Sequence, residues 1–331
     1  MKNLLLFSDL HITQTSLQEC KEILDEILSL CDTYQITQVI NLGDTFDSLK
    51  PSSVELDLFA SFIKELNRFL IVIAADSHES ANHTDSILNH YSILTEKMSV
   101  VKSYEVEEKL FCGHLIVKEA QKNFGANISK EAFKKYFQVF LGHQHRYEVI
   151  KPNICQLGSV RFVNFDEAED KRKVVAILQD FGTEEQKTLF VPLKSPIPMV
   201  QFELNKNTNK NDIPEGLLAQ TKDYNVKENA FHAKSSTILT LRGELDKLNP
   251  KTKVKVKIGD FDLFRQFLPL ANKYSSKFTI FKYETDFEIM AVNNQKCIST
   301  EMKTFKESFL KWLEAQTINT QIKDILLKEI E

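Results

Sequence analysis

Apolar and polar positions along this chain switch repeatedly between a strand-like run and a helical period. Leu4-Leu5-Leu6-Phe7 is a continuous apolar run of strand length, closed by Ser8-Asp9. Leu17, Cys20, Leu24, Ile27, Leu28 and Cys31 then recur at helical spacing, and Ser16 with Glu19 has the form of a capping box. Residues 38–42 predict a second strand, and residues 54–68 a helix opened by another capping box, Ser52 with Glu55. Residues 69–74 predict a third buried strand. A short helix near 86–91, strands near 100–106 and 110–112, a helix over 129–136 and a strand at 139–141 follow. Such alternation predicts a layered α/β domain with a central sheet, its functional loops beyond the strand ends. From 154 to 191 short strands recur without helices, which predicts antiparallel additions to that sheet.

Pro192, Pro196 and Pro198 punctuate the next stretch and set a domain boundary near residue 195. Residues 196–298 then read as a small α+β domain. Within it Lys253, Lys255 and Lys257 alternate with Val254, Val256 and Ile258, a half-buried strand with one lysine face. That face suits either a solvated edge strand or contact with a DNA backbone. Residues 299–331 carry two amphipathic helical stripes: Phe305, Phe309, Trp312 and Leu313, then Ile322, Ile325 and Leu326. A two-helix unit this small cannot bury both stripes itself, so a partner surface is expected.

The 331 residues exceed what one core usually holds, in keeping with two domains and an appendage. A 42% hydrophobic and 27% charged composition is ordinary for a globular chain. The opening apolar run is too short for a signal peptide or a membrane span. Five scattered cysteines read as reduced thiols, so a cytoplasmic protein without membrane attachment is expected. The net charge of −4 does not advertise nucleic-acid binding. Two bound divalent cations would nevertheless add about four positive charges where a phosphate must sit.

Five clusters carry candidate chemistry: Ser8-Asp9-Leu10-His11, Gly43-Asp44-Thr45-Phe46-Asp47, Asp76-Ser77-His78-Glu79, Gly113-His114 and Gly142-His143-Gln144-His145. Each follows a predicted strand or lies in the loop it feeds. Five of the 8 histidines fall inside them, and carboxylates with imidazoles on such loops can converge on a metal pair. Thiolate is absent from every cluster, which disfavours a structural zinc site.

In this order the D-x-H, G-D-x-x-D, G-H and G-H-x-H series resembles the calcineurin-like metallophosphoesterase superfamily, over residues 1–195. Gly158-Ser159-Val160-Arg161, followed by Phe165, Glu167 and Lys173, narrows the resemblance to SbcD-type DNA nucleases, with Gln156-Leu157 where Tyr-Pro is common. The resemblance implies a sheet sandwich flanked by helices, an α+β capping domain and a C-terminal helix pair that docks on an SMC-like ATPase. It implies two divalent metal ions, usually Mn2+. Asp9, His11 and His145 would hold the first, His114 and His143 the second, and Asp44 would bridge them. His78 would act on the leaving oxygen or the charged transition state, with Asp47 behind a ligand or beside the substrate. Arg161 joins Lys253, Lys255 and Lys257 as a DNA-contact candidate. The activity implied is 3′-to-5′ exonuclease and single-strand endonuclease cleavage at DNA ends, by a homodimer working with the ATPase in break repair or recombination. Ser77 stands where an Asn ligand is usual and Asp76 where Gly is, so Asp76, Ser77 or neither completes the second set. Two alternatives stay open: a small-molecule phosphodiesterase of the same fold, and a DNA-end-binding scaffold with weakened catalysis.

Overall fold

The computed structural model describes residues 2–74, 86–89, 91, 95–120, 128–168, 170, 172–204, 230–235, 238–259, 261–278 and 280–285. The chain divides into two compact units, Met1–Glu284 and Thr285–Glu331. The helix pair expected over 299–331, with Phe305, Phe309, Trp312, Leu313, Ile322, Ile325 and Leu326, lies outside the described residues. Among the described residues no helix is long and apolar enough to cross a membrane.

The chain opens with β1 (Leu4–Phe7), α1 (Leu17–Thr33), β2 (Gln38–Asn41), α2 (Ser53–Leu66), β3 (Phe69–Ile73) and β4 (Met98–Val101). Next come β5 (Ser103–Val106), β6 (Leu110–His114), β7 (Gln138–Gly142), β8 (Glu148–Lys151), β9 (Ile154–Gln156), β10 (Val174–Gln179) and β11 (Lys187–Pro192). They form two sheets, ordered β11-β10-β1-β2-β3-β4 and β5-β6-β7-β9-β8. β1 to β4 pair in parallel, and β10 and β11 add antiparallel beside β1.

β1 is apolar throughout because both its faces are covered, as buried parallel strands require. Leu4 and Leu6 point between the sheets, against Ile40, Ile71, Cys112, Phe140 and Val174. Leu5 and Phe7 point the other way, into the layer of α1 and α2 with Ile23, Ile27, Phe59 and Phe62. In the α2 capping box Glu55 accepts from the Ser52 backbone N–H at 2.5 Å and from the Ser52 hydroxyl at 2.8 Å. Cys20, Cys31, Cys112 and Cys155 are buried free thiols. Burial pushes Cys31 and Cys155 up to about 12, which keeps them protonated and inert.

Three local expectations change. The strand expected over 100–106 is two strands, because pairing with β3 ends at Val101 and pairing with β6 begins at Ser103. The chain crosses there from one sheet to the other. The helix expected over 129–136 is a 3₁₀ turn, Lys130–Phe133. Its spacing of three sets Phe133 and Tyr136 side by side on Phe111, with ring centroids 4.9 and 5.3 Å away. Ser16 and Glu19 form no capping box; Ser16 closes the preceding turn with Thr13 instead.

Glu19 is occupied elsewhere. A third sheet, ordered β13-β12-β14-β15, follows residue 198: β12 (Met199–Leu204), β13 (Ala230–Ser235), β14 (Lys253–Ile258) and β15 (Ile280–Thr285), with α3 (Ile238–Lys247) and α4 (Phe261–Ser275). α1 straps the chain as it enters this sheet. Glu26 accepts from the backbone N–H of Lys194 and Ser195, and Glu19 Oε1 from that of Ile197 at 2.9 Å. Glu19 Oε2 pairs with Lys253 Nζ at 2.7 Å, both side chains being buried. β14 is therefore an interior strand, parallel to β12, and not a solvated edge.

Removing Glu19 alone should leave buried cations uncompensated, a loss of about 3–5 kcal/mol for a broken buried pair. Glu19→Ala is expected to lower the urea midpoint far more than the paired change Glu19→Gln with Lys253→Met, measured by equilibrium unfolding.

Candidate metal centre

The four clusters within the described residues occupy strand ends, and four of the six described ligand candidates sit in left-handed backbone. Asp9, His11, Asp44 and His143 have φ of 53°, 47°, 49° and 85°. A non-glycine residue there costs roughly 1–2 kcal/mol, and persists only where the surroundings over-determine it. Here the loops are stitched to one another through the backbone. Asp9 N–H donates to Gly43 O, His11 N–H to Asp44 O, Ile12 N–H to Thr45 O and Val160 N–H to Ser8 O, all at 2.9–3.0 Å. Asn41 holds the second loop from inside, donating to Thr45 Oγ1 and accepting from Gly43 N–H. Gly43 (φ +115°) permits this turn, and a Cβ on it would lie 2.4 Å from His114 Nδ1.

These loops bring two groups together: Asp9, His11 and His145, and Asp44, His114 and His143. Within each group the potential ligand atoms all lie within 4.8 Å of one another. Asp44 Oδ2 stands 3.5 Å from His11 Nε2 and 3.3 Å from His114 Nε2, so it spans both groups. Asp9 accepts from the His143 backbone N–H at 3.2 Å, which fixes the carboxylate between the first and last loops.

The ring nitrogens facing away from the centre decide what the inner ones present. His114 Nδ1 lies 2.9 Å from Leu42 O, His11 Nδ1 3.0 Å from Asp47 and His145 Nδ1 2.9 Å from Glu167. All three partners are acceptors, so each Nδ1 carries hydrogen and each neutral Nε2 turns a lone pair inward. His11 Nε2 and His145 Nε2 face each other at 3.0 Å; His114 Nε2 faces His143 Nδ1 at 3.1 Å. Lone pairs at these distances, with two buried carboxylates beside them, repel unless a cation or proton lies among them. Burial opposes charging His114, but its hydrogen bond to Asp44 and the charges of Asp9 and Asp44 push it up to about 9. Burial likewise opposes protonation of His145, and Glu167 outweighs it. His143 is lowered by burial and by His114, and stays the neutral member. A divalent cation in each group would satisfy the same electron pairs, and the N/O donor set fits such ions.

Behind His145 stands a support that the sequence motifs did not reveal. Glu167 is buried, which alone would raise its pKa, yet Lys173 and the His145 hydrogen bond hold it far below the usual carboxylate range. Lys173 Nζ donates to Glu167, Asp170, Ser159 and the His145 carbonyl, at 2.5, 2.9, 3.0 and 3.1 Å. Glu167 and Lys173 were visible in sequence as part of the segment after Gly158. Their roles were not, because neither touches the centre directly.

The other site candidates separate. Asp47 is half exposed, with Oδ1 3.0 Å from His11 Nδ1, and also lines the cleft described below. Asp76, Ser77 and His78 lie outside the described residues. Of the basic candidates, Lys253 is only 4% exposed and bound to Glu19, so it does not present a DNA-facing surface on β14. Lys255 pairs with Glu284 at 2.7 Å, and Lys257 is half-buried on the same strand. Arg161 is buried as well, its Nε donating to Leu10 O between Asp9 and His11. His11, Asp47 and His145 form one wall of a cleft of about 600 Å³ whose other walls include Arg161, Phe165, Met199 and Lys253.

No protein-family model and no curated protein matches the chain. Among solved structures, Pseudomonas putida nuclease MPE shares 17% identity over 57% of this chain and 73% of its own, with a TM-score of 0.31. A superposition that loose carries no inference about either fold or activity.

Glu167→Gln should weaken metal binding about 10- to 100-fold by loosening His145, read by isothermal titration. The raised His114 pKa has a second consequence. In metal-free protein this proton stabilises the fold fully below about pH 6.5, the unfolded value, and the benefit is lost as pH rises through about 9. The melting temperature in chelator should therefore fall over that window more steeply than in a His114→Gln variant.

Proposed function

We propose that the chain is a two-metal phosphodiesterase that cleaves nucleic-acid strands. The observation that carries this reading is the carboxylate of Asp44 standing between two nitrogen-rich ligand groups, of which His11 and His145 line a cleft. Asp9, His11 and His145 would hold one divalent ion, His114 and His143 the other, and Asp44 both. Such ions, when bound, lower the pKa of water and screen charge that builds on phosphoryl oxygens. The chain's own part is orientation: Asp47, Glu167 and the Leu42 carbonyl fix the imidazole planes, and strained loops fix the carboxylates. His78 would donate to the leaving oxygen.

The ordered motifs support a finer reading, an SbcD-type nuclease. In it Mn2+ is the activating ion, the chain acts as a 3′-to-5′ exonuclease and single-strand endonuclease on DNA ends, and it functions as a cytoplasmic homodimer. An SMC-like ATPase would dock on the stripes at Phe305–Leu313 and Ile322–Leu326.

The test is cleavage of end-labelled duplex and single-stranded DNA with manganese, magnesium or chelator, with the ATPase supplied. Manganese-dependent cutting that Asp44→Asn and His78→Ala each reduce by roughly 10³-fold is the expected result, the size usual for removing a group that stabilises the transition state. Cutting only by Ser77→Asn would make the natural chain a binding scaffold. Hydrolysis of bis-p-nitrophenyl phosphate with DNA left intact would make it a small-substrate phosphodiesterase.

A further inference from the structure

One peptide unit in the ligand loops, between Leu10 and His11, is held at both of its polar ends. Its N–H, on His11, donates to the Asp44 backbone carbonyl at 2.9 Å. Its carbonyl, on Leu10, accepts from Arg161 Nε at 3.0 Å, with the Cys20 thiol a weak second donor at 3.9 Å. Asp9 and His11 on either side of Leu10 sit in left-handed backbone, at φ of 53° and 47°. Turning the plane of this unit changes the His11 φ, and a half turn would carry His11 into the extended region that side-chain-bearing residues prefer. The hydrogen bonds at its two ends oppose that relaxation. Arg161 is a costly way to make one of them. It is buried, and its NH1, 3.8 Å from Glu19, has no hydrogen-bond partner among the described residues. Glu19 is committed to Lys253 at 2.7 Å, so two buried cations share one carboxylate. A buried cation short of partners calls for an explanation.

We propose that Arg161 is a positioning residue of the metal centre. Its Nε–H, acting through the Leu10–His11 peptide unit, fixes the backbone of His11 and of Asp44, and with it the aim of both side chains at the metals. This rests on the reading of the two side-chain groups as metal ligands. Three observations carry it. Arg161 and its neighbour hold the carbonyls on both sides of Asp9: Val160 N–H donates to Ser8 O at 3.0 Å, and Arg161 Nε to Leu10 O at 3.0 Å. The unit that Arg161 grips ends on Asp44, whose carboxylate spans both groups, 3.5 Å from His11 Nε2 and 3.3 Å from His114 Nε2. A guanidinium is also the stronger donor for the task. Its charge shortens and strengthens the bond to the Leu10 carbonyl, and polarising that carbonyl makes the N–H of the same unit a better donor to Asp44. Because the side chain is buried, the role needs no contact between Arg161 and substrate.

The test compares Arg161→Gln with Arg161→Met in the full chain. Glutamine keeps an N–H donor one bond beyond Cδ, where arginine has Nε, whereas methionine puts a methyl group there. Both remove the surplus cation alike, so the difference between them isolates the donor. Hydrogen exchange of the segment 8–12 is measured in chelator, and Mn2+ binding by isothermal titration. Arg161→Met is expected to speed exchange there about tenfold and to weaken Mn2+ binding about tenfold, the low end of the range for groups that stand behind a metal ligand. Arg161→Gln is expected to stay within about threefold of the wild type in both. In cleavage assays Arg161→Met should lower kcat and leave KM for the strand unchanged. The positioning role is refuted if the methionine variant exchanges and binds Mn2+ like the wild type, or if the glutamine variant loses as much as the methionine one. Should the methionine variant not fold, the glutamine variant decides alone: retained protection and Mn2+ affinity support the role, and a tenfold loss of either overturns it. A wild type that binds Mn2+ and cleaves no DNA refutes the phosphodiesterase reading instead, and exchange with Mn2+ affinity still decides the role of Arg161.

Discussion

Electron pairs crowded at the sheet ends set the terms for the rest of this molecule. Imidazole nitrogens at 3.0–3.1 Å, beside carboxylates at 3.3–3.9 Å, repel one another unless a proton or a cation lies among them. The fold meets that constraint by rigidity: left-handed ligand residues, backbone bonds between neighbouring loops, and an acceptor behind each of His11, His114 and His145. A looser scaffold would relieve the repulsion by letting the side chains drift, and would lose the ligand geometry with it.

The same constraint reaches beyond the centre through charge. His145 depends on Glu167, Glu167 on Lys173, and Lys173 on Ser159 and Asp170, a buried chain in which each charged or polar group is satisfied by the next. A second chain runs from the Leu10 carbonyl through Arg161 to Glu19 and Lys253. It ties the loop of Asp9 and His11 to α1 and to an interior strand of the third sheet. The cleft opens between these two networks, which explains why one of its walls is acidic and histidine-rich and another basic.

Much of the layered core was legible from hydrophobic pattern, since buried strands and amphipathic helices are local consequences of burial on both faces or on one. The runs around Leu4–Phe7 and Phe69–Ile73 and the helical stripe from Leu17 to Cys31 needed no tertiary information. The ligand candidates were equally visible, because histidine and aspartate directly after strands stand out against an apolar background. What pattern could not give was which polar residues meet across distance. Glu19 has the spacing of a helix cap and serves as an ion-pair partner 234 positions from Lys253. Lys253 has the alternation of an exposed face and lies buried in an interior strand. Residues near 100–106 look like one strand because nothing local records that pairing changes sheets. The sequence alone determined the elements and the chemistry they carry, through short-range periodicity and residue type. Only the tertiary structure decided how charges separated by many residues pair, because that pairing depends on burial and on distances that close when the sheets pack.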